Sequence, residues 1–405
     1  MPAPRKRYIP RLLQGHLDDL AFIASQRRAA LNSQRHTLRE FGELSERLEA
    51  HLQGLLVAPV EALRDLLMPQ LVAVDRDECF AAAYGLLRTG DSDLVWAVIA
   101  EFTKARGHSL AGLRDALSMA PAEPVHEEMQ SALEHAKPIT AVAAAAVLAN
   151  HRKLDPASPR LDRLLGADDP EVAALAWRLV ALADGSMPPR SPRPDRPFMA
   201  GVMHADERVR LAAWHAAAWA GQSQALPVLR ASAEGGDAAA LHWLAVLGTA
   251  DDMTTIQQAA LAMDDDGARC ALLARFGHPS ALNALVRWME SSGMPLAVAA
   301  CEAFTRLTGL DIRGERRQMT VPDDADEFDS EMAPLVWMPD AGKARTLLEQ
   351  HGQHWSIGLR WCRGQRLDGE VPRELLVRLD LEARWEVAAR AALRGQPISA
   401  PSPVF

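Results

Sequence analysis

The chain has 405 residues, of which 48% are hydrophobic and 24% are charged, and its formal net charge is −9. The length allows at least one large core, and the acidic balance argues against a nucleic-acid partner, because such proteins gain most of their affinity by neutralising phosphates. Alanine and leucine dominate while tyrosine, isoleucine and threonine are sparse, so strand-forming residues are depleted. The composition predicts a nearly all-α protein.

Residues 1–60 predict a helical hairpin. Leucines recur at three- and four-residue spacing from residue 13 onward and again between residues 38 and 55, which is the period of an amphipathic helix. A polar break, Asn32-Ser33-Gln34, separates the two stretches. Two helices joined by a short turn form an αα-hairpin.

Residues 61–310 predict a series of helical repeats. Helical stretches alternate with short breaks that combine an acidic or hydroxyl residue with glycine or proline, and we expect each break to supply the N-cap of the helix that follows. The breaks lie at residues 89–93, 166–170, 235–237, 264–267 and 291–293. The large residue of each second helix recurs at roughly 30 to 37 residues, a period typical of two-helix repeats. The positions that mark this period are Trp177, Trp214, Trp243, Leu273 and Phe304. The pattern predicts an all-α fold, an α-solenoid of HEAT- or armadillo-like hairpins.

Two segments depart from the repeats. Residues 185–197, GSMPPRSPRPDRP, are rich in proline and predict a rigid connector without helix. Residues 311–405 predict a C-terminal region in which an acidic, solvated loop at 323–331 precedes closing helices at 341–350 and 371–393. The role of the acidic loop is left open by the sequence.

Motifs that carry catalytic or cofactor chemistry are missing from the sequence. It has no GxSxG, no Walker loop, no HExxH and no GxGxxG. His126-Glu127 is a single metal-like pair, whereas a repeat hydroxylase needs such pairs in several repeats. His215 and His242, beside successive tryptophans, are interpreted as helix contacts. We therefore predict no enzyme activity, no catalytic residues, no cofactor and no metal.

Tryptophan and arginine side chains away from the main apolar stripe are the candidate partner contacts. Such residues anchor interfaces because they combine a large area with polar ends. The residues predicted to bind a partner are Trp219, Arg287, Trp288, Trp361 and Arg363.

The expected location is the cytoplasm. The sequence shows no secretory signal pattern and no apolar run of about 18 residues that could span a membrane. Its four cysteines are scattered and form no CxxC pair, as expected for buried thiols in a reducing compartment.

Both ends of the chain resemble one family. HLDDLAFIASQRRAAL followed by LREFGELSERLEAHLQGLLVA, together with the closing WCRGQRLDGEVPRELLVRLDLEARWEVAARAAL, resemble an uncharacterised bacterial family of HEAT-like repeat proteins. Members of that family tend to be encoded beside type VI secretion spike and effector genes. The resemblance implies an adaptor or chaperone that helps to load an effector, and it supplies no catalytic residues.

The first hypothesis is a non-enzymatic scaffold that binds a protein partner, an effector or spike component of type VI secretion, with no nucleic acid and no membrane as partner. The alternative is a HEAT-repeat enzyme, either a metal-dependent hydroxylase or a lyase. A third hypothesis, nucleic-acid binding by a helical solenoid, conflicts with the net charge of −9. The partner's identity, the face that binds it and the oligomeric state are left open.

Overall fold

In the computed structural model of the chain, the described residues are 9–185, 194–291, 293–319, 333–355, 358–367 and 372–396. Helices make up most of them, which confirms the prediction of a mostly helical protein. The chain forms two compact units. The first comprises Met1–Gly221, Val377–Trp385 and Gly395–Phe405, and the second comprises Gln222–Leu376 and Glu386–Arg394. The predicted divisions at residues 60 and 310 rest on sequence pattern and stay a prediction.

The first unit is built almost entirely from helices joined by short turns. They are α1 (Pro10–Ala30), α2 (Leu38–Leu55), α3 (Val60–Leu67), α4 (Arg76–Leu87), α5 (Ser92–Lys104), α6 (Gly107–Met119), α7 (Ala122–His135), α8 (Pro138–Asn150), α9 (Pro159–Leu165), α10 (Pro170–Gly185), α11 (Phe198–Val202) and α12 (Glu207–Trp219).

Alternate helices of the first unit pack on one another in series. Helix α4 packs on α6, α6 on α8, α8 on α10, and α10 on α12, while α7 and α11 cover α8 and α12 respectively. Helix α1 packs on α2, which confirms the predicted helical hairpin, and it also packs on α4. Most of these contacts join helices that are neighbours or next-but-one neighbours in the chain.

The large residues that mark the repeat lie in the core. Trp177 on α10 and Trp214 on α12 are only 1% and 2% exposed. Helix α11 approaches Trp177 closely because it carries Gly201, where a Cβ atom would lie 2.6 Å from Trp177 Cζ2. The three corresponding positions in the second unit, Trp243, Leu273 and Phe304, are also buried.

An acidic side chain caps the helix that follows four of the five predicted breaks, whereas the N-cap of α18 is Gly293, with no side-chain hydrogen bond. Asp91, Asp237 and Asp265 are N-caps, and each carboxylate accepts a hydrogen bond from the backbone N–H three residues further on. Asp169 accepts one from the N–H of Glu171 at the start of α10. Short acidic breaks thus define where the helices begin.

Most of the predicted proline-rich connector, residues 186–193, lies outside the described residues. Its C-terminal end is anchored by Arg196, whose side chain is fully buried. The Arg196 guanidinium donates hydrogen bonds to Asp162 and to the carbonyl oxygen of Pro156, and it lies 3.7 Å from the Asp184 carboxylate.

The second unit combines helices with two short antiparallel strand pairs. Its elements are α13 (Leu226–Glu234), α14 (Ala238–Leu247), α15 (Met253–Ala262), α16 (Asp266–Phe276), α17 (Leu282–Ser291), α18 (Met294–Thr308), β1 (Arg313–Gln318), β2 (Leu335–Pro339), α19 (Ala341–His351), β3 (Trp361–Cys362) and β4 (Gln365–Arg366). The two closing helices, α20 (Arg373–Arg378) and α21 (Leu381–Leu393), have residues in both units. Alternate helices again pack in series, α14 on α16 and α16 on α18.

The strand pairs are the part of the fold that departs from the all-α prediction. Strand β1 pairs with β2, with Arg316 opposite Trp337, and β3 pairs with β4. The predicted acidic loop at 323–331 falls between β1 and β2, outside the described residues.

The β3–β4 turn closes the C-terminal ends of α16 and α18. Each helix ends in a glycine with positive φ, Gly277 at 74° and Gly309 at 73°. The Trp361 N–H donates to the Gly277 carbonyl oxygen at 2.7 Å, and a Cβ atom at Gly277 would lie 2.2 Å from the Trp361 carbonyl oxygen. Only glycine permits this close approach of the turn.

Candidate functional site

A group of arginines lies on alternate helices of the first unit. Arg28, near the C-terminal end of α1, donates from Nη2 to Asp77 Oδ2 at 2.7 Å, and its Nη1 donates to the other oxygen. Asp77 stands in the first turn of α4, where a carboxylate also interacts favourably with the helix dipole. The hydrogen bonds from Arg28 to Asp77 raise the pKa of Arg28 above its ordinary value. This bidentate pair connects α1 to α4.

Asp115 on α6 is the buried carboxylate at the centre of the group. It is 4% exposed and accepts hydrogen bonds from Arg76 Nε at 2.9 Å and from Arg114 Nη2 at 2.9 Å. Helix α6 can approach α4 because it has Gly112, where a Cβ atom would lie 2.4 Å from the Arg76 carbonyl oxygen. A glycine in α6 therefore brings Arg76 opposite Asp115.

Arg27 on α1 has no carboxylate partner among the described residues. Its guanidinium lies 4.8 Å from the centre of the Phe41 ring, and Nε donates to Ser45 Oγ at 3.1 Å. Burial lowers the pKa of Arg27 below its ordinary value. Beside it is a cavity of about 20 Å³, which has room for about one water molecule and not for a substrate.

Arg178 on α10 makes no hydrogen bond or ion pair with any described residue. Its side chain is exposed, yet burial lowers its pKa, and Arg114 lowers it further. Helix α8 lies between the helices that carry these two arginines, and its residues 140–149 are all buried.

Several of these arginines lie close enough to repel one another: Arg114 and Arg28 act on Arg76, and Arg114 acts on Arg178. The pKa of Arg76 is lowered, first by burial and then by the neighbouring Arg114 and Arg28, although Asp115 opposes the shift. We use "arginine face" for the surface formed by Arg27, Arg28, Arg76, Arg114 and Arg178. Arg28 is fully paired, Arg76 and Arg114 share one carboxylate, and the other two lack a carboxylate in the described structure.

The second unit contains buried arginines in a different setting. Glu386 accepts hydrogen bonds from Arg275 Nε at 2.6 Å and from Arg306 Nη2 at 2.7 Å. Burial alone would raise the pKa of Glu386, but the two arginines outweigh it and lower the pKa. Arg360, which is fully buried, donates to backbone carbonyl oxygens at the ends of α14 and α16 and stacks 4.3 Å from the Phe276 ring centre.

The five predicted partner contacts fall into two groups. Trp219 is 3% exposed and Trp361 is 7% exposed, so both belong to the core and offer little area to a partner. Trp219 is covered because α12 is buried on several sides near its C-terminal end, and Trp361 because its turn closes over two helix ends. These two residues are therefore removed from the candidate surface.

The other three predicted contacts are more accessible. Arg287 on α17 is exposed, and Trp288 is half-buried with Arg269 5.7 Å from its ring centre. Arg363 is half-buried in the β3–β4 turn, with φ at 51°. Their role in partner binding stays a prediction.

Metal-ligating side chains do not converge within the described residues. No group of three or more histidine, cysteine, aspartate or glutamate side chains there could hold a metal ion. His126 lies on α7, and the rings of His215 and His242 lie 6.1 and 5.6 Å from those of Trp219 and Trp243. The four cysteines are buried thiols, as predicted.

Sequence patterns did not predict the arginine face, because its five residues lie on four helices that are far apart in the chain. The signal that identifies it is a single arginine inside an apolar run, as at Arg114 in LAGLRDALSM and Arg178 in LAWRLVAL. A charge in such a run must either pair in the core or reach an open recess.

Comparison with models of known protein families and with curated proteins gave no match. Among the helices of the described residues, none combines the length and apolar character that a bilayer crossing requires.

Proposed function

We propose that this protein is a non-enzymatic α-solenoid of HEAT-like hairpins that binds a protein partner through the arginine face. The observation that carries the proposal is Arg178, an exposed guanidinium on α10 that makes no hydrogen bond or ion pair with a described residue and that Arg114 repels. An arginine of this kind can bond a carboxylate that a partner supplies.

The serial packing of alternate helices supports a solenoid as the scaffold. In the first unit α4, α6, α8, α10 and α12 pack one on the next, as the successive hairpins of a solenoid would. Repeat proteins use the surface of such a series to bind other chains. Three arginines of the face come from three different helices: Arg27 from α1, Arg114 from α6 and Arg178 from α10.

The proposed partner is an effector or spike component of type VI secretion, bound in the cytoplasm before export. This part of the proposal rests on the resemblance of the two ends of the chain to the bacterial HEAT-like family described above. An adaptor of this kind needs a surface for its cargo and no catalytic group of its own.

The test is co-expression of the full chain with type VI secretion spike and effector proteins from the same genome, followed by size-exclusion chromatography. We expect a stable complex with one of them. The complex should weaken with Arg178→Glu and persist with Arg47→Glu, a matched change at an exposed arginine of α2. If none of these proteins forms a complex with the unchanged chain, the proposed function is wrong.

A further inference from the structure

We infer that strands β1 and β2 form a second interaction surface, which binds a protein segment that presents one carboxylate beside an apolar side chain. The surface is the side of the strand pair that carries Arg313, Arg316, Leu335 and Trp337, and we call it the strand-pair face. All four residues are exposed, Leu335 at 59% and Trp337 at 38%. The inference goes beyond the proposed function, because this face belongs to the second unit and the arginine face to the first.

The pairing of the two strands places these four residues on one side. Arg316 lies opposite Trp337, and Leu335 lies two residues before Trp337, so the three share a side. The register shifts between Arg313 and Arg316, where β1 contains one extra residue. This shift places Arg313, rather than Gly314, on the side of Trp337. The guanidinium carbons of Arg313 and Arg316 lie 5.5 and 4.5 Å from the centre of the indole ring.

The opposite side of β2 holds the strand pair on the second unit. Val336 and Met338 alternate with the two exposed residues Leu335 and Trp337 and are half-buried, and β2 packs on α18. The strand-pair face is therefore the side that the described residues leave open. Tryptophan beside arginine is a combination that anchors protein interfaces, because both residues bury a large area and bond at one end.

Arg316 is the arginine of this face that can bond a ligand. Arg313 already donates to Asp311, from Nε at 2.8 Å and from Nη2 at 3.0 Å. Arg317 is paired with Glu315. Arg316 makes no hydrogen bond or ion pair with a described residue, and its guanidinium lies over the indole ring. Stacking of this kind restricts the side chain and leaves the planar fork of N–H groups available to a carboxylate.

The charge of the strand pair favours a single carboxylate over a polyanion. Two of the three arginines of β1 hold carboxylates, so one positive charge on this strand remains uncompensated among the described residues. Nucleic acids and anionic membranes gain affinity from several cations acting together. The six acidic residues from Asp323 to Glu331, which connect the strands in sequence, repel such a polyanion. One carboxylate beside an apolar side chain needs only Arg316 and Leu335.

A third strand along β1 fits these residues less well. Among the described residues β1 pairs with β2 alone, so its outer edge carries no strand. However, β1 contains three arginines and one extra residue, and charged side chains and bulges prevent an edge strand from pairing with another chain. The apolar area that a partner can cover belongs to Leu335 and Trp337. We therefore place the bound segment across the strand-pair face.

The experiment measures binding of a short peptide to the full chain by fluorine NMR. The protein carries fluorinated tryptophan, and the Trp337→Phe variant identifies the signal of Trp337. The probe is N-acetyl-leucyl-aspartyl-leucine amide, which has one carboxylate, and the matched probe contains asparagine in place of aspartate. A single-stranded oligothymidine tests the phosphate alternative.

The protein variants are Arg316→Gln and, as control, Arg317→Gln. Arg317 is the next residue of β1, lies opposite Val336 on the other side of the strand pair, and its replacement changes the net charge by the same amount. Thermal melting of each variant establishes that it is folded.

We expect the aspartate peptide to shift the Trp337 signal until it saturates, and the asparagine peptide to bind several times more weakly. Arg316→Gln should weaken binding of the aspartate peptide about fivefold, the effect of one well-oriented ion pair at a surface. Arg317→Gln should leave this binding unchanged, and added salt should weaken it.

Equal binding of the two peptides, an equal loss in Arg316→Gln and Arg317→Gln, or an unshifted Trp337 signal at millimolar peptide overturns the inference. An oligonucleotide that shifts this signal when the aspartate peptide does not assigns the face to phosphates and overturns it as well. The proposed function is tested separately, because neither the arginine face nor a secretion protein takes part in this measurement.

Discussion

Replacing Arg360 by methionine should destabilise the second unit by about 3 kcal/mol. The Arg360 side chain is fully buried, and its Nε donates to the Phe276 carbonyl oxygen at 2.5 Å. Its terminal nitrogens donate to the carbonyl oxygens of Gly248, at 2.5 Å, and of Ala245. These acceptors lie at or just beyond the ends of α14 and α16, where a helix leaves carbonyl groups unsatisfied.

The magnitude follows from two opposing effects. Arg360 reaches five carbonyl oxygens, and those of Phe276, Gly248 and Ala245 are the closest. Methionine fills much of the same space and leaves these three without this donor, at about 1 to 3 kcal/mol each. Removing the cation relieves its desolvation, which offsets several kcal/mol of that loss. Arg390 still donates to the Val246 carbonyl oxygen at 2.5 Å, so the end of α14 keeps one cationic donor. The net loss is about 3 kcal/mol.

The assay is urea unfolding of the full chain, combined with hydrogen exchange of the peptides that cover α14 and α16. We expect a lower unfolding midpoint and faster exchange at the C-terminal turns of these two helices. Arg390→Met is the matched comparison, and it should cost less because the Val246 carbonyl oxygen also accepts from Arg360 at 3.3 Å. A loss below about 1 kcal/mol, or unchanged exchange in α14, would refute this account of Arg360.

Three further predictions concern single side chains. Glu386→Gln should lower stability most above the ordinary glutamate pKa of 4.5, and this loss should shrink as the pH falls through the lowered pKa of the folded state. A loss that does not change with pH in urea unfolding would contradict this prediction. Arg178→Met should keep or raise the melting temperature, because no described residue bonds to this exposed guanidinium and Arg114 repels it; a clear fall in calorimetry would contradict this account. The thiols of Cys79 and Cys270, whose pKa burial raises to about 12, should resist alkylation in the native protein and react once it is unfolded, as mass spectrometry can measure.

The helical part of this fold is encoded locally, which is why the sequence predicts it. The caps Asp91, Asp237 and Asp265 act within three residues of themselves, and apolar spacing follows from the helix period. Strand β1, by contrast, has the sequence RGERRQ, with no alternation of apolar residues, and it exists through pairing with β2. Such pairing depends on a distant segment and is invisible to a local pattern.

The candidate site was less predictable than the fold. An offset of five residues from Trp214 suggested that Trp219 would be exposed, but it is 3% exposed because neighbouring elements cover α12 there. Arg27, Arg114 and Arg178 come from helices far apart in the chain, and only the packing of α1, α4, α6, α8 and α10 brings them to one surface. The proximity of these arginines depends on which helices pack together, and a local sequence pattern does not contain that information.

The two groups of arginines in this chain differ in what compensates their charge. In the second unit, Arg275 and Arg306 meet Glu386, and Arg360 meets backbone carbonyls, so the protein itself compensates these cations. On the arginine face Arg178 is exposed, is repelled by Arg114 and has no described counter-charge, so its hydrogen-bonding fork is open to a ligand. Substitution should therefore have opposite consequences at the two places. Replacing Arg178 should preserve stability and weaken partner binding. Replacing Arg360 should lower stability without a direct effect on partner binding.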